Sequence, residues 1–568
     1  LGIAFIVALF ASTVVALTLT PVLCSYMLTT KKALKKNEKE PFVSRTLKVW
    51  YKKALEWALR HKKVVIGTSA ALLIFTIIIM TGLGRSFLPP FNEGSLTINI
   101  STMPGISLEE SDNMGRMAEK ILLDIPEIQT VARKTGRAEL DEHALGVNVS
   151  EMEAPFELDE RSRDEFLADV RQRLGELKGV NIEIGQPISH RIDAMLSGTK
   201  ANIAIKLFGN DLNKLYNIGG QIKEAIQGID GIADLTLEQQ IERPQLQIKP
   251  KRDMLAKYGI PLPEFSEFIN VALSGKVVSQ VYEGGKVFDL TVKVHDDDKA
   301  NMEQIGNLMI DANGQKVPLH YVAEILPLVG PNTISRENVQ RKIVVSANVA
   351  GRDLNGVVKD IQKTVGEQIT LPEGYHVEYG GQFESEQAAS RTLFLTSVIS
   401  ILLIFLLLFN EFHSMPLSSI IMLNLPLAII GGILSIWFTS GIISIPAIIG
   451  FISLFGIATR NGMLLISHYN HLQKEEGLNV YDSVMQGSLD RLNPILMTAL
   501  SSALALIPLA LGGDLPGNEI QSPMAKVILG GLLTSTFLNG FIVPIVYLMM
   551  HRRPTDAAPE QESLATPC

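Results

Sequence analysis

Long apolar runs alternate with mixed polar stretches along the 568 residues of this chain. About 20 apolar residues cross the hydrocarbon core of a bilayer as a helix. Runs of that order occupy 1–28, 64–83, 393–409, 416–440, 445–467, 494–512 and 524–550. Any one of them, above all the short 393–409, could be a buried core helix. Seven in one chain predict a polytopic α-helical membrane protein.

Between 84 and 392 the pattern changes, with apolar residues repeating every second or every 3.6 positions. Strands are expected at 95–102, 128–134, 147–154, 180–185, 201–208, 233–238, 244–250, 342–349 and 376–379. Helices are expected at 107–124, 163–177, 212–229 and 353–365. The helix at 107 opens with Ser107-Leu-Glu-Glu110, a capping box. Strand–helix–strand order recurs in three rounds, which predicts ferredoxin-like βαβ modules in a large α+β portion. An insert of different pattern is expected from 277 to 336.

Charge orients the chain. The segment 29–63 carries about a dozen Lys and Arg against three Glu, and Arg552 and Arg553 follow the last run. Cytoplasmic loops are enriched in Lys and Arg. Six runs lie between these two basic segments, so both can face the cytoplasm, which places 84–392 on the outer, periplasmic side. The expected organisation is one transmembrane helix (1–28), a cytoplasmic amphipathic linker (29–63), a second span (64–83), the periplasmic portion (84–392), a five-helix bundle (393–550) and a cytoplasmic tail (551–568). Within the linker, 44–60 reads as a helix lying on the membrane surface, with Leu47, Trp50, Tyr51, Leu55 and Leu59 on one face. The tail, rich in Pro, Ala, Glu and Ser, is expected to be disordered. The chain opens inside an apolar run with no initiator Met, so a missing N-terminal part is expected.

Composition narrows the function. The chain is 46% hydrophobic and 19% charged, below the roughly 25% charge of average soluble proteins. A formal net charge of −8 lacks the basic face a nucleic-acid binder needs. Cys24 and Cys568 form no CxxC motif. There is no G-x-x-x-x-G-K-[ST] loop, so ATP is not a visible energy source, and no nucleophile–base pair points to an enzyme. Gly431, Gly432, Gly530 and Gly531 lie inside apolar runs, where small residues permit close helix packing.

Specific motifs sharpen this. They are Gly456-Ile-Ala-Thr-Arg-Asn-Gly-Met-Leu-Leu-Ile-Ser-His-Tyr469, Arg491-Leu-Asn-Pro-Ile-Leu-Met-Thr498, Phe87-Leu-Pro-Pro-Phe-Asn-Glu-Gly94, Met103-Pro-Gly-Ile-Ser107 and Gly381-Gln-Phe-Glu384. Together the chain resembles the resistance–nodulation–division (RND) efflux transporters over essentially its whole length. The segments 458–462 and Arg191-Ile-Asp-Ala-Met-Leu-Ser-Gly198 resemble the heavy-metal branch. The resemblance implies the second half of an RND transporter fold, in the inner membrane of a Gram-negative bacterium. It implies a homotrimer joined to a periplasmic adaptor protein and an outer-membrane channel, with no cofactor, expelling substrate by proton antiport. The missing N-terminal half would hold the acidic residues of the proton relay.

Arg460 sits in an otherwise apolar stretch, and a charge at membrane depth calls for a partner in the protein interior. By resemblance, Arg460, Thr498 and Arg491 fall on relay or relay-adjacent positions. A guanidinium stays protonated, so Arg460 would bias a neighbouring acid. Thr498 could instead bond a carbonyl of its own helix, and Arg491 could reach to headgroups. For the transported cation, Asn99 stands where copper pumps of the family have a methionine. Glu151-Met152-Glu153, His190 and Met195 are the candidate metal ligands, with Asp141, Glu142, His143 and Asp193 nearby. Oxygen and imidazole donors suit Zn²⁺, Co²⁺, Ni²⁺ or Cd²⁺ better than Cu(I) or Ag(I). On an alternating strand, Glu151 and Glu153 would share one face and Met152 would turn to the core. Two other functions remain open, an RND permease for drugs or amphiphiles and a non-pumping envelope accessory on the same scaffold.

Overall fold

The computed structural model describes residues 2–27, 41–89, 91–103, 105–136, 146–158, 161–189, 191–192, 201–238, 242–331, 334–513 and 515–551. Contacts divide the chain into two compact units. One comprises Leu1–Glu93, Arg352–Lys359 and Gln382–Cys568, and the other Gly94–Gly351 with Asp360–Gly381.

The first unit is helical. Its helices are α1 (Gly2–Met27), α2 (Phe42–Arg60), α3 (Lys62–Gly82), α4 (Gln382–Phe412), α5 (Met415–Met422), α6 (Asn424–Thr439), α7 (Ile445–Lys474), α8 (Val480–Leu511) and α9 (Gln521–Met550). Among the described residues six spans are long and apolar enough to cross a membrane, with α5 and α6 together forming one of them. Several helices overrun the apolar runs that announced them. α4 begins 11 residues before 393, and α8 begins at Val480 and continues through Pro494. The apolar pattern marks only the lipid-depth part of a helix, whereas the backbone ladder continues wherever polar residues can still be solvated or packed.

The run 416–440 is broken at Leu423. Pro426 explains the break. It has no N–H to offer the carbonyl of Met422, and its ring crowds that turn. Helix packing is close where the glycines predicted it. A Cβ on Gly431 would lie 2.0 Å from the Gly530 carbonyl oxygen, and one on Gly531 would lie 2.0 Å from Leu454.

Helix α2 differs in part from expectation. Leu55, Ala58 and Leu59 are buried in a cluster with Tyr469, Val484, Val543 and Tyr547, and Tyr51 packs against it. One stripe of α2 therefore docks on α8 and α9. Leu47 and Trp50, expected on the same face, are exposed. The moment of an amphipathic helix locates its apolar side, but it cannot tell protein from lipid as the neighbour.

The second unit holds two ferredoxin-like sheets, one of four strands and one of four with a short fifth, Arg336–Glu337, at its edge. The first uses β1 (Ser95–Thr102), β2 (Ala132–Thr135), β3 (Val149–Pro155) and β4 (Val180–Gly185). Their spatial order is β2-β3-β1-β4, with all neighbours antiparallel. Helices Leu108–Leu123 and Arg163–Leu174 make the crossovers. Leu96, Ile98, Ile100, Met152, Phe166 and Val170 fill the core between sheet and helices. Ser107 caps the first helix by accepting from the Glu110 N–H, and Ser162 with Glu165 forms a reciprocal capping box on the second.

The second sheet uses β5 (Ile203–Phe208), β6 (Ile232–Leu237), β7 (Gln340–Val349) and β8 (His376–Gly381). It repeats the order β6-β7-β5-β8. The expected second and third rounds are thus one module split by an insert. That insert starts earlier than the pattern suggested. The strand Glu242–Pro250 pairs with Ala323–Pro331 inside the insert, not with the preceding round. The insert has a small core of its own, including Leu255, Phe265, Ile310 and Leu319. From it projects the hairpin Lys276–Glu283/Lys286–Val292, in which every residue is exposed. The expected tail lies outside the described residues.

Candidate functional site

Arg460 lies midway along α7 and is exposed on the surface of the helical unit, although Thr459 and Asn461 beside it are buried. Thr459 Oγ1 donates to the Phe455 carbonyl at 2.8 Å. Arg460 makes no ion pair among the described residues. The sequence explains why: no Asp or Glu occurs from 412 to 474, from 491 to 513, or from 520 to 551. On α8, Thr498 is half-buried and its hydroxyl donates to the Ile495 carbonyl at 2.9 Å, within its own helix. Arg491 is half-buried, with Nε buried and unbonded among the described residues. No hydrogen bond joins any two of Arg460, Thr498 and Arg491 among the described residues.

The candidate metal ligands divide differently. Met152 is fully buried in the core of the first sheet beside Ile98 and Phe166. Glu151 and Glu153 project from the opposite face, because successive residues of a strand alternate. The structure therefore separates the Met152 thioether from both carboxylates. Glu153 is exposed. The Glu151 side chain is 15% exposed and pairs with Lys134 Nζ at 2.8 Å. His190 and Met195 lie outside the described residues, as do Asp141, Glu142, His143 and Asp193.

Strand register assembles a group that periodicity could not. Asn99 on β1 stands opposite Glu151 on β3 and, on its other side, opposite Glu183 on β4. Directly opposed residues of antiparallel strands share a face, with Cβ atoms about 5 Å apart. Lys134, opposite Glu151, completes a row across four strands. Asn99 is 4% exposed, and Glu183 accepts from Thr236 Oγ1 at 2.9 Å. The row thus offers two carboxylates around a carboxamide, with a lysine paired to one of them. Glu183 escaped the sequence reading because nothing in a single chain says which strands pair. Among the described residues no three His, Cys, Asp or Glu side chains converge.

Elsewhere on the unit, ion pairs brace the helices. Arg161 binds Glu127 at 2.6 Å and Asp169 at 2.8 Å, and its hydrogen bonds hold both carboxyls below their ordinary range. Lys342 and the buried Lys206 flank Glu337 and depress it likewise.

Comparison with known proteins gives consistent matches. A family model described as the AcrB/AcrD/AcrF family matches residues 1–551. The cobalt-zinc-cadmium resistance protein CzcA of Cupriavidus metallidurans is 32% identical over 570 residues, covering 98% of this chain and 53% of that protein. Protein HelA of Legionella pneumophila is 33% identical over 560 residues, covering 96% and 53%. The cation efflux system protein CusA of Escherichia coli is 27% identical over 498 residues, covering 85% and 47%. A crystal structure of a heavy metal efflux pump superposes with a TM-score of 0.75 at 28% identity, covering 90% of this chain and 53% of that one. The chain spans about half the length of the curated relatives it matches.

Proposed function

The chain belongs to the AcrB/AcrD/AcrF family, and on that premise we propose that it forms one half of a pump exporting divalent heavy-metal cations by proton antiport. It has the RND transporter fold and is a multi-pass inner-membrane protein with a large periplasmic part. The observation that carries the transport reading is its similarity, over 98% of its length, to a protein named for cobalt, zinc and cadmium resistance. Fold alone would not carry it, since one scaffold hosts many functions.

In this reading Arg460 is the cationic member of a proton relay whose acids come from the other half of the protein. Its exposure on the helical unit suits that role, because a guanidinium at lipid depth demands an anion. When the acid releases its proton, the pair forms. When the acid is reprotonated, Arg460 loses its partner and the bundle can rearrange. Thr498 and Arg491 on α8 would extend the relay, once the Thr498 hydroxyl turns from the bond it makes to the Ile495 carbonyl.

The cation would meet the row Glu151, Asn99 and Glu183, with Glu153 at its edge and His190 and Met195 kept as further candidates. These are hard oxygen donors for the most part, which suit Zn²⁺, Co²⁺, Ni²⁺ or Cd²⁺ over Cu(I). Lys134 would have to yield Glu151 to the metal, a built-in route to release. The exposed hairpin supports assembly into the proposed trimer with a periplasmic adaptor and an outer-membrane channel. A lone two-stranded hairpin is marginal in water, and Val277, Val281, Tyr282, Val287 and Phe288 on this one lie bare.

The test is metal susceptibility of a strain lacking the full-length protein. Sensitivity to Zn²⁺, Co²⁺, Ni²⁺ or Cd²⁺, restored by the wild-type copy, is expected. Unchanged tolerance to all four would refute the reading.

A further inference from the structure

Among the described residues the spans hold three buried asparagines, on three helices, that the relay reading does not use. Asn424 on α6 is 0% exposed, and Asn461 on α7 and Asn539 on α9 are 3% exposed. Among the described residues, Asn424 Nδ2 and Oδ1, Asn461 Nδ2, and Asn539 Nδ2 and Oδ1 are buried without any hydrogen-bond partner. Buried polar groups left unpaired at this density are rare.

All three lie at one depth. The Asn424 amide rests on Gly462, next to Asn461, since a Cβ built on that glycine would lie 2.0 Å from Asn424 Nδ2. Leu454 packs on Gly531, and the Tyr547 hydroxyl bonds Asn470 at 2.8 Å. These contacts share one sequence offset along two parallel helices, and the same offset sets Asn539 level with Gly462. Seven residues after Leu454, Asn461 has turned back to nearly the same side, at about 100° per residue. It therefore faces α9 at the level of Asn539.

The α5/α6 break falls at this depth too, and Pro426 withholds the helical donor from the Met422 carbonyl beside Asn424. Broken helices at membrane depth are tolerated where protein or water satisfies the freed groups.

We propose that Asn424, Asn461 and Asn539 enclose an internal water site at the depth of Arg460, hydrating the α7 helix from within this half of the bundle. The donor set selects water over a cation. Three amide N–H groups need acceptors while two amide oxygens need donors, and water supplies both. A cation would bind only the oxygens, leave the amides unpaired, and sit without a carboxylate near a guanidinium. The inference stands whether or not the transport reading does.

The test uses the full-length protein in lipid nanodiscs, by electron cryomicroscopy at a resolution that shows water. It is paired with thermal unfolding of Asn461→Leu, Asn539→Leu and Asn539→Ser. Density within hydrogen-bond distance of the carboxamides is expected, lost in the Leu variants and kept in Asn539→Ser. The Leu variants should also unfold several degrees earlier. Three results would overturn the proposal: carboxamides bonded directly to one another with no density between them, Leu variants that unfold at the same or a higher temperature, or a peak whose occupancy and stabilising effect depend on sodium.

Discussion

The Tyr51 hydroxyl donates to the carbonyl of Gly540 at 2.5 Å, the carbonyl that Pro544, four residues later in α9, leaves without a helical N–H. A side chain of α2 thereby mends a proline-made gap in the last span. It fixes α2 to the bundle.

Tyr51→Phe should lower stability by about 1–3 kcal/mol, the cost of a buried carbonyl left unpaired. Pro544→Ala in the same chain restores an N–H to Gly540 and should recover most of the loss. Thermal unfolding of the two single variants and the double variant measures the coupling, and additive effects would show that Tyr51 does not serve that carbonyl.

Gly431 and Gly530 are pressed backbone to backbone, so Gly431→Leu should prevent α6 and α9 from closing. Loss of the monodisperse solubilised protein is the expected readout in size-exclusion chromatography. Gly67→Leu, where nothing lies within 4 Å, should be tolerated and serves as the control.

The periplasmic part should be acid-labile in a defined direction. Glu127, Asp169 and Glu337 all have folded-state pKa values depressed by Arg161, Arg173, Lys342 or Lys206. Such groups contribute their full stability above the unfolded carboxyl pKa of about 4, and lose it as pH falls through the lower folded value. Unfolding temperature should therefore be flat near neutrality and fall below about pH 4.5. Arg161→Gln should flatten that fall as well as lower the plateau.

For the metal row, Glu151→Gln and Glu183→Gln in the full-length protein should each weaken cation binding tenfold or more, about 1.4 kcal/mol. Met152→Leu should leave binding unchanged, since its sulfur is in the core. Isothermal titration with Zn²⁺ or Cd²⁺ decides, and equal losses at 151 and 152 would place the site elsewhere.

The positions of six of the seven expected spans were legible in apolar runs, because lipid-depth residues must be apolar for about 20 positions. Helix ends were not. Val480 to Asn493 continue a helix with ordinary polar residues that carry no length signal. The two ferredoxin-like modules were legible as strand–helix–strand order, but the long insert separated β6 from β7 and made one module look like two rounds. At the candidate site, the strand alternation that places Met152 opposite Glu151 is a local property and could be read. The partnership of Glu151 with Asn99 and Glu183 is a matter of pairing between distant strands. Arg460 could be singled out by its cost, whereas buried asparagines announce nothing until their lack of partners is seen.

The most direct measurement reconstitutes the full-length protein in liposomes, imposes a pH gradient and follows Zn²⁺ or Cd²⁺ with a fluorescent indicator. Cation movement that depends on the gradient and is abolished by Arg460→Ala is the predicted result. Movement that ignores the gradient, or an Arg460→Ala protein that pumps like the wild type, would contradict the account.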